Sequence, residues 1–509
     1  MLEILDTTLR DGEQTAGVSF NVNEKLAIAS LLLEKLKVDR IEVASARVSK
    51  GESEAFRAIC SWAAGNGCLD RVEALGFVDG GVSVDWIADA GGMVVNILAK
   101  GSLRHLTTQL RKSPEEHIAD IRAVLERARE RGLSANIYLE DWSNGIEQSP
   151  EYVYELVDGL KDTAIRRFML PDTLGILDPQ RTARFVGLMT SRYPELHFDF
   201  HGHNDYDLAV ANSYAAVQAG ARGIHVTVNG LGERTGNTPV ASIAVILNDM
   251  LKVPNNLDEK QLMHVCRYVE SISGIRLPSN MPVVGENVFT QSSGVHADGD
   301  RKGRLYENAL LPERFGRTRK YALGKTSGKA NVMENLRELH ISLTPEQVKL
   351  VTERVVELGD KKQSMSTEDL PFIIADVLKE NSGQTPDNIH VINYSLQLTR
   401  RMRPVAIVKL SIHGKEYEES SVGDGQYDAF MKALWKIYDR LDKKHPVLVD
   451  YAGTIPPGGK TDALVATTIT WDKDGYEFKT KGIDSDQTEA AIKATVKMLN
   501  ILENMDIIH

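Results

Sequence analysis

Short apolar runs alternate with amphipathic helical stretches eight times between residues 2 and 228. Most of these runs are continuously apolar, which is typical of parallel strands covered on both faces. Two of the intervening stretches, Glu24–Leu36 and Pro114–Arg131, carry apolar residues three and four positions apart, as helices do. The predicted strands are Leu2–Asp6, Arg40–Ala44, Val72–Gly76, Val94–Leu98, Ala135–Leu139, Arg166–Leu170, His197–His201 and Ile224–Val228.

Eight strand–helix units in this length favour an α/β fold of the (β/α)8 TIM-barrel type, with a doubly wound open sheet as the main rival. We expect the catalytic barrel to occupy residues 1–262. Residues 263–384 are mostly helical in pattern and are predicted to form linking subdomains. In residues 385–509 strands followed by a helix occur twice, which indicates an α+β domain with a twofold βββα-like repeat.

Composition and charge exclude several classes of protein. The net charge is −11 and no run of Lys and Arg offsets it, so nucleic acid and anionic membranes are not expected as partners. No apolar run reaches the ~18 residues of a membrane span, and the N-terminus lacks the pattern of a signal peptide. Three cysteines, Cys60, Cys68 and Cys266, are too few for a disulfide scaffold and have no metal-site spacing. A cytoplasmic protein is the expectation.

Polar clusters follow five of the predicted strands, where the chemistry of such barrels resides. Since parallel strands of a barrel all end at one mouth, these clusters are expected to converge. They are Arg10–Gln14, Glu140–Asp141, Asp172–Thr173, His201–Asp205 and Asn229–Asn237. The glycines in the last cluster do not have G-x-G-x-x-G spacing, so a turn that brings the backbone close to the site is favoured over a nucleotide loop.

The pair His201 and His203 points to a metal site. Two residues apart at a strand end, both imidazoles face the same way, and neutral imidazoles suit divalent metal ions. Taken alone, this spacing more often belongs to ordinary polar histidines. Asp11 supplies an anionic third ligand and Asn237 an amide oxygen, and three or four protein ligands leave open positions for substrate.

Three further residues at the mouth suggest catalytic or binding roles. Arg10 places a cation where an oxyanion would develop, although a surface ion pair is the alternative. Glu140 comes directly after an apolar strand, where partial desolvation suits a general base, unless it only forms a salt bridge at the rim. Thr173 is placed to bind a substrate carboxylate or to cap the next helix.

Four motifs resemble those of the isopropylmalate, homocitrate and citramalate synthases, which are metal-dependent barrel enzymes of Claisen condensation. The resemblance runs essentially from end to end of the chain, including its C-terminal third. The motifs are residues 6–14 (DTTLRDGEQ), 201–205 (HGHND), 229–238 (NGLGERTGNT) and 294–299 (GVHADG).

The resemblance implies an acyltransferase that condenses acetyl-CoA with a 2-oxo acid and then hydrolyses the thioester. It implies that Asp11, His201, His203 and Asn237 hold one divalent ion (Zn, Mn or Mg). By the same likeness, Arg10 stabilises the forming alkoxide, Thr173 binds the substrate carboxylate and Glu140 takes part in proton abstraction. His296 and Tyr306 lie in a segment that packs over the site in this family, commonly that of the partner subunit, and would assist the acid–base steps.

The identity of the oxo acid depends on Leu75, Leu98 and Tyr138, which suggest a small apolar pocket suited to the methyl group of pyruvate. The run 138–145 (YLEDWSNG) looks most like the citramalate branch of the family, whose product is (R)-citramalate. Isopropylmalate synthase is the nearest alternative, and homocitrate synthase is less favoured because none of the three positions is basic. A metal-dependent aldolase or lyase, and an amino-acid sensor on an inactive barrel, are the alternatives from other classes.

The C-terminal repeat suggests a dimerisation module, and the resemblance adds an effector site for a branched-chain amino acid. Isoleucine is the effector expected for the citramalate branch, and a homodimer is the expected assembly. The candidate regulatory residues lie beside two glycine-rich turns. They are Tyr427, Leu448, Tyr451, Ile455, Thr461, Val465 and Gln487.

Overall fold

A computed structural model describes residues 2–339, 341–360, 389–454 and 465–508, together with the single positions 365, 367, 370, 373, 374 and 377. The chain divides into two compact units. The first contains residues 1–289 and 307–318, and the second contains residues 290–306 and 319–509. The finer division at residues 262 and 384 remains a prediction.

The first unit is a closed barrel of eight parallel strands in sequence order. Strand β1 pairs with both β2 and β8, so that Asp6 lies opposite Ile41 on one side and Val226 on the other. This closure confirms the TIM barrel and rules out the open sheet. The strands are β1 Glu3–Asp6, β2 Arg40–Ser45, β3 Val72–Phe77, β4 Val94–Lys100, β5 Ser134–Glu140, β6 Ile165–Asp172, β7 Phe198–Gly202 and β8 Gly223–Val226.

At the mouth of the barrel, strands β4, β6 and β8 end two residues away from their predicted ends, and the first of them continues to Lys100. Strand β6 continues to Asp172, which pairs with Gly202 of β7. Strand β8 ends at Val226, two residues earlier than expected. It ends there because the N–H of Thr227 donates to the carbonyl of Thr238, so the chain pairs with its own loop rather than with the barrel.

The helices around the barrel start at side-chain caps that are visible in the sequence. Asn21 and Glu24 form a reciprocal capping box at the start of Val22–Ser30, and Ser113 and Glu116 form another at Pro114–Glu130. Such caps contribute about 1 kcal/mol each. The other helices of this unit are Leu31–Leu36, Lys50–Gly65, Val82–Asp89, Leu103–His105, Leu106–Leu110, Trp142–Gln148, Pro150–Asp158, Pro179–Arg192, Ala209–Gln218, Val240–Ile246, Leu247–Leu251 and Leu262–Ser273, with short 3-10 turns at Gly12–Gln14, Leu69–Arg71, Val228–Gly230, Glu259–Gln261 and Pro312–Phe315.

Charged side chains occupy a part of the barrel interior where aliphatic residues are the rule. The guanidinium of Arg40 donates to the carboxylates of Glu73 (3.1 Å) and Asp199 (2.5 Å), and all three residues are buried. Asn96 donates to the Glu73 carboxylate at 2.9 Å. Pairing and hydrogen bonding of this kind are what make buried charge tolerable.

The second unit contains the repeat that the sequence predicts. Two antiparallel three-stranded sheets, each followed by a helix, share one apolar core, which confirms the βββα pattern. The first repeat is β11 His390–Gln397, β12 Val405–Ile412, β13 Lys415–Val422 and helix Gln426–Arg440. The second is β14 Val447–Thr454, β15 Val465–Lys473, β16 Tyr476–Asp484 and helix Gln487–Ile508. Before them lie β9 Thr290–Gln291, β10 Lys320–Tyr321 and the helices Gly294–Gly303, Lys329–Glu338 and Pro345–Asp360, with a 3-10 turn of the first unit, Pro312–Phe315, between β9 and β10. None of the helices in the described residues is both long and apolar enough to cross a membrane.

Candidate active site

Three predicted metal ligands converge at the mouth of the barrel. His201 lies on β7, His203 directly follows it, and Asp11 lies on the loop after β1. The Asp11 Oδ2 atom is 3.4 Å from Nε2 of His201 and 3.8 Å from Nε2 of His203. One potential ligand atom from each residue lies within 4.8 Å of the other two, and all three residues are buried.

Two buried oxygens at this site lack a hydrogen-bond partner among the described residues: Asp11 Oδ1 and Asn237 Oδ1. The amide nitrogen of Asn237 donates to the carbonyl of Leu231 at 3.1 Å, which leaves the amide oxygen free for a ligand. Gly232 allows this arrangement, because its φ is +155° and a Cβ there would lie 2.1 Å from Asn237 Nδ2. Two imidazoles, a carboxylate and an unpartnered amide oxygen are a donor set that fits a divalent metal ion.

The protonation states also suit metal binding. Burial lowers the pKa of His203 to about 4 and also lowers the pKa of His201, so both imidazoles are neutral at physiological pH. Burial opposes ionisation of Asp11, but the charge of Arg10 and the hydrogen bond with His201 outweigh it and hold the pKa of the Asp11 carboxyl well below its usual value. The site therefore offers the deprotonated ligands that metal binding requires.

Arg10 is held at the site by two carboxylates. Its Nε donates to Glu42 Oε2 at 2.6 Å, and its Nη1 lies 3.2 Å from Asp11 Oδ2. Sequence reasoning missed Glu42, although a glutamate inside the apolar strand Arg40–Ser45 is a signal that could have found it. The pair with Glu42 leaves part of the guanidinium to face the cavity beside the metal ligands.

Glu140 is the last residue of β5 rather than the residue after it. Its carboxylate forms an ion pair with the ammonium group of Lys100, which ends the neighbouring strand β4 at the same level. Lys100 was also missed, because only the barrel register places it beside Glu140. Thr173 lines the same cavity, and its hydroxyl accepts a hydrogen bond from the N–H of Asp141 at 2.9 Å.

The cavity at the mouth is small, about 190 Å³, and is lined by both polar and apolar side chains. Arg10, Glu140, Thr173 and the three metal-ligand candidates line it together with Leu75, Leu98 and Tyr138. The last three residues pack into one apolar cluster with Leu5 and Met169. The structure thus places the barrel residues predicted for metal binding, substrate binding and catalysis at one end of the barrel. Asn237 lies at the same end, on the loop that follows β8.

A charged contact that the sequence did not indicate links three loops at the rim of the barrel. Arg234, on the loop after β8, donates to both carboxylate oxygens of Asp205 at 2.8 Å and to the carbonyl of Thr173 at 2.8 Å. These bonds tie together the loops that follow β6, β7 and β8. They hold Thr173 in place at the cavity.

The remaining predicted residues belong to the second unit. His296 and Tyr306 stack on each other with ring centroids 4.1 Å apart, and both are exposed. Tyr427 and Tyr451 have ring centroids 5.8 Å apart, and Gln487 lies next to Gly453 of the strand that carries Tyr451. The other regulatory candidates, Leu448 and Val465, are partly exposed ends of strands, and Ile455 and Thr461 lie outside the described residues.

Acid is expected to destabilise the barrel through His117, which accepts a hydrogen bond at Nε2 from the N–H of Lys100 (3.1 Å). Burial lowers the pKa of His117 from 6.5 to about 4. The unfolded chain takes up this proton near pH 6.5 and the folded chain only near pH 4, so stability is complete above this window and falls as the pH drops through it. We expect this histidine to account for a loss of about 2 kcal/mol in the free energy of unfolding between pH 8 and pH 5.

Urea unfolding of the wild type and of His117→Gln at both pH values measures this effect. Glutamine retains an acceptor for the N–H of Lys100 but does not titrate. The variant is therefore expected to lose less stability on acidification. Equal losses in the two proteins would contradict the assignment.

Comparison with protein families agrees with this geometry. The model of the HMGL-like family matches residues 1–269, more than half of the chain. The chain belongs to the HMGL-like family. Two further family models match after the HMGL-like region: a homocitrate synthase post-HMGL domain-like region over residues 283–363 and the LeuA allosteric (dimerisation) domain over residues 364–503.

Relatives of this HMGL-like protein carry two different names. A putative (R)-citramalate synthase of Methanopyrus kandleri is 35% identical over 92% of this chain and 89% of its own length. A probable 2-isopropylmalate synthase of the same organism is 34% identical over 98% of both chains. The (R)-citramalate synthase of Methanocaldococcus jannaschii is 31% identical over 99% of this chain and 100% of its own. The relatives are therefore all named as synthases, and their names differ in the product.

Proposed function

We propose that this protein is a citramalate synthase, which condenses acetyl-CoA with pyruvate and releases (R)-citramalate and CoA. One observation carries the proposal: a small cavity lined both by the metal-ligand candidates and Arg10 and by the apolar cluster of Leu75, Leu98 and Tyr138. A 2-oxo acid needs both kinds of lining, because its ketone and carboxylate are polar and its methyl group is not.

In this proposal Asp11, His201, His203 and Asn237 hold one divalent ion. When bound, the ion supplies a Lewis acid that orients the ketone and carboxylate of the oxo acid and polarises the carbonyl. The ketone oxygen gains negative charge as the new carbon–carbon bond forms, and the guanidinium of Arg10 stabilises that charge. Burial opposes the charge on Arg10, but Glu42 and Asp11 outweigh it and raise the pKa of Arg10, so the guanidinium stays protonated throughout.

Glu140 is the proposed proton acceptor for the methyl group of acetyl-CoA, directly or through a water molecule. Loss of that proton gives the enolate carbon, which attacks the ketone carbon of pyruvate. Lys100 holds the Glu140 carboxylate at the edge of the cavity through their ion pair. Water then cleaves the thioester, and CoA leaves as the thiol. His296 and Tyr306 are proposed to assist these acid–base steps.

In this proposal pyruvate is preferred over larger acceptors because the apolar side chains of the cavity leave little room for a larger group. Leu75 and Leu98 bring branched side chains to the cavity, and Tyr138 adds a buried ring. The isopropyl group of 2-oxoisovalerate would have to displace these groups. Since relatives named for either product are about equally similar to this chain, the pocket is the main support for the choice.

The function is tested by CoA release from acetyl-CoA with pyruvate, 2-oxobutanoate, 2-oxoisovalerate and 2-oxoglutarate as acceptors, in the presence of Mn²⁺, Zn²⁺ or Mg²⁺. We expect pyruvate to give the highest kcat/KM. A preference for 2-oxoisovalerate would instead make the protein an isopropylmalate synthase. Cleavage of an acyl-CoA without any condensation would indicate a lyase.

Leu98→Ala is expected to widen the pocket toward larger acceptors. Removal of three buried carbon atoms should raise kcat/KM for 2-oxobutanoate relative to pyruvate by about 10-fold or more. The ratio of kcat/KM values for these two acceptors measures it. Leu188→Ala, at a partly exposed position on an outer helix, is the matched control and should leave the ratio unchanged. An unchanged ratio in Leu98→Ala would place the specificity pocket elsewhere.

We also propose that the C-terminal domain regulates the enzyme by binding isoleucine and that the protein is a cytoplasmic homodimer. The match to a LeuA allosteric (dimerisation) domain supports an effector and a dimer. The neighbouring rings of Tyr427 and Tyr451, with Gln487 close to Gly453, form a partly apolar surface suited to a branched side chain.

Tyr451→Ala in the full-length protein tests this site. Loss of an aromatic wall should raise the isoleucine concentration for half-inhibition at least about tenfold. Dose–response curves for CoA release measure it, with the exposed Met402→Ala as the control. If both variants have the same isoleucine concentration for half-inhibition, Tyr451 is not part of the effector site. The same experiment with leucine tests the identity of the effector.

A further inference from the structure

The hydroxyl of Tyr138, which lines the pocket, contacts His225, a residue that has no part in the proposed mechanism. The Tyr138 hydroxyl lies 3.2 Å from Nδ1 of His225, a buried residue of β8. The two rings meet edge to face with centroids 5.5 Å apart. Among the described residues, the hydroxyl is also within hydrogen-bonding distance of Glu42 Oε2, at 3.3 Å.

Asp199 sets the direction of the bond between His225 and Tyr138. Its Oδ2 lies 3.1 Å from Nε2 of His225. The same Asp199 oxygen accepts a hydrogen bond from Nη2 of Arg40 at 2.5 Å, so the carboxylate paired with this guanidinium acts as an acceptor. Nε2 of His225 therefore carries the hydrogen, and Nδ1 presents a lone pair to which the Tyr138 hydroxyl donates.

The surrounding structure is built for this contact. Gly223, two residues before His225, gives the Asp199 carboxylate its place: a Cβ at position 223 would lie 2.0 Å from Asp199 Oδ1. The competing acceptor is farther away and more heavily shared, since Glu42 Oε2 lies 3.3 Å from the hydroxyl and already receives Arg10 Nε at 2.6 Å. His225 is therefore the acceptor best placed for Tyr138.

We propose that His225 is a specificity-determining positioning residue: bonded to Asp199, it fixes the Tyr138 ring against the acceptor pocket and so limits the size of the 2-oxo acid that fits. The inference rests on the proposed function, because the pocket must bind the acceptor. Without His225 the hydroxyl turns to Glu42, and the ring tilts toward β2. The space vacated on the side of β8 then admits one more methylene.

Three variants separate the effect of the bond between His225 and Tyr138 from the effect of the bond between His225 and Asp199. His225→Gln keeps a donor near the position of Nε2 for Asp199 but places no acceptor at the position of Nδ1, where the Tyr138 hydroxyl donates. His225→Asn keeps an acceptor near the position of Nδ1. The matched control is His197→Gln, because Nε2 of His197 lies 2.9 Å from the other oxygen of Asp199, on the side of that carboxylate that does not bind His225.

The measurement is the ratio of kcat/KM for 2-oxobutanoate to that for pyruvate, together with the dissociation constants of both acids by calorimetry on the Mn²⁺-loaded full-length protein. We expect His225→Gln to raise both selectivity ratios about five- to tenfold, the range of one lost hydrogen bond. His225→Asn should restore most of the wild-type ratio. His197→Gln should leave it unchanged.

Tyr138→Phe tests the same hydrogen bond from its other end if His225→Gln does not fold. Removing only the hydroxyl should raise the ratio to a similar extent, and adding His225→Gln to it should cause no further change. Equal ratios in His225→Gln and His197→Gln, or a wild-type ratio in Tyr138→Phe, would overturn the proposal. Failure of the proposed function is distinguishable, since the wild type would then release no CoA with pyruvate or would prefer 2-oxoisovalerate as acceptor.

Discussion

Glu140→Gln is expected to lower kcat for CoA release by about 10²–10⁴-fold, the range that general acid–base catalysis contributes. Glutamine keeps the shape of the side chain and an oxygen for Lys100, but it cannot take up a proton from the acetyl methyl group. Because Glu140 is not among the metal-ligand candidates, metal content and the dissociation constant of pyruvate should stay close to those of the wild type.

Steady-state kinetics, metal analysis and calorimetry with pyruvate together test this expectation. Glu151→Gln is the matched control, since Glu151 is an exposed residue of the helix Pro150–Asp158. A near-wild-type kcat in Glu140→Gln would remove Glu140 from the proton-transfer step. Loss of pyruvate binding would instead assign it to substrate binding. Exchange of the acetyl methyl protons with solvent deuterium, if observed in the wild type, should be lost in the variant.

His203→Ala is expected to lose the bound divalent ion and, with it, more than about 100-fold of kcat/KM. Even outer residues of metal sites contribute about 10–100-fold to affinity or activity, so the loss of a ligand should exceed that range. The imidazole is buried and neutral, with its Nε2 directed toward Asp11. The alanine variant leaves only His201, Asp11 and Asn237 at the site.

Metal content after dialysis and titration with Mn²⁺ measure this loss independently of turnover. The control is His264→Ala, at an exposed position of the helix Leu262–Ser273, which should retain the wild-type metal content. If His203→Ala keeps both the ion and the activity, the metal site is elsewhere.

The charged interior beneath the cavity gives the site its rigidity. From Asp11 through Arg10 to Glu42 and Asn96, each side chain contacts the next by an ion pair or hydrogen bond of 3.2 Å or less. Such a network has little freedom to rearrange, because a broken bond would leave a buried charge unpaired. Arg10 is therefore held in place before substrate binds, as transition-state stabilisation requires.

The barrel and its mouth were predictable from the sequence because both depend on local patterns. Continuous apolar strands and capped helices indicate their own geometry, and closure places every strand end at one rim. His201, His203 and Asp11 therefore meet as predicted, although they come from opposite ends of the barrel sequence. The repeat after residue 389 was visible for the same reason, since each copy carries its own periodicity.

The partners of those residues could be decided only by the tertiary structure. Lys100 meets Glu140, Glu42 meets Arg10 and His225 meets Tyr138 through the register of neighbouring strands or across the barrel interior. No local periodicity encodes such contacts, because they depend on the stagger of strands that are far apart in the chain. The sequence by itself determined which groups reach the mouth of the barrel. The closed barrel determined which partner each of these side chains contacts, because a buried charged group is stable only when it is paired or hydrogen-bonded.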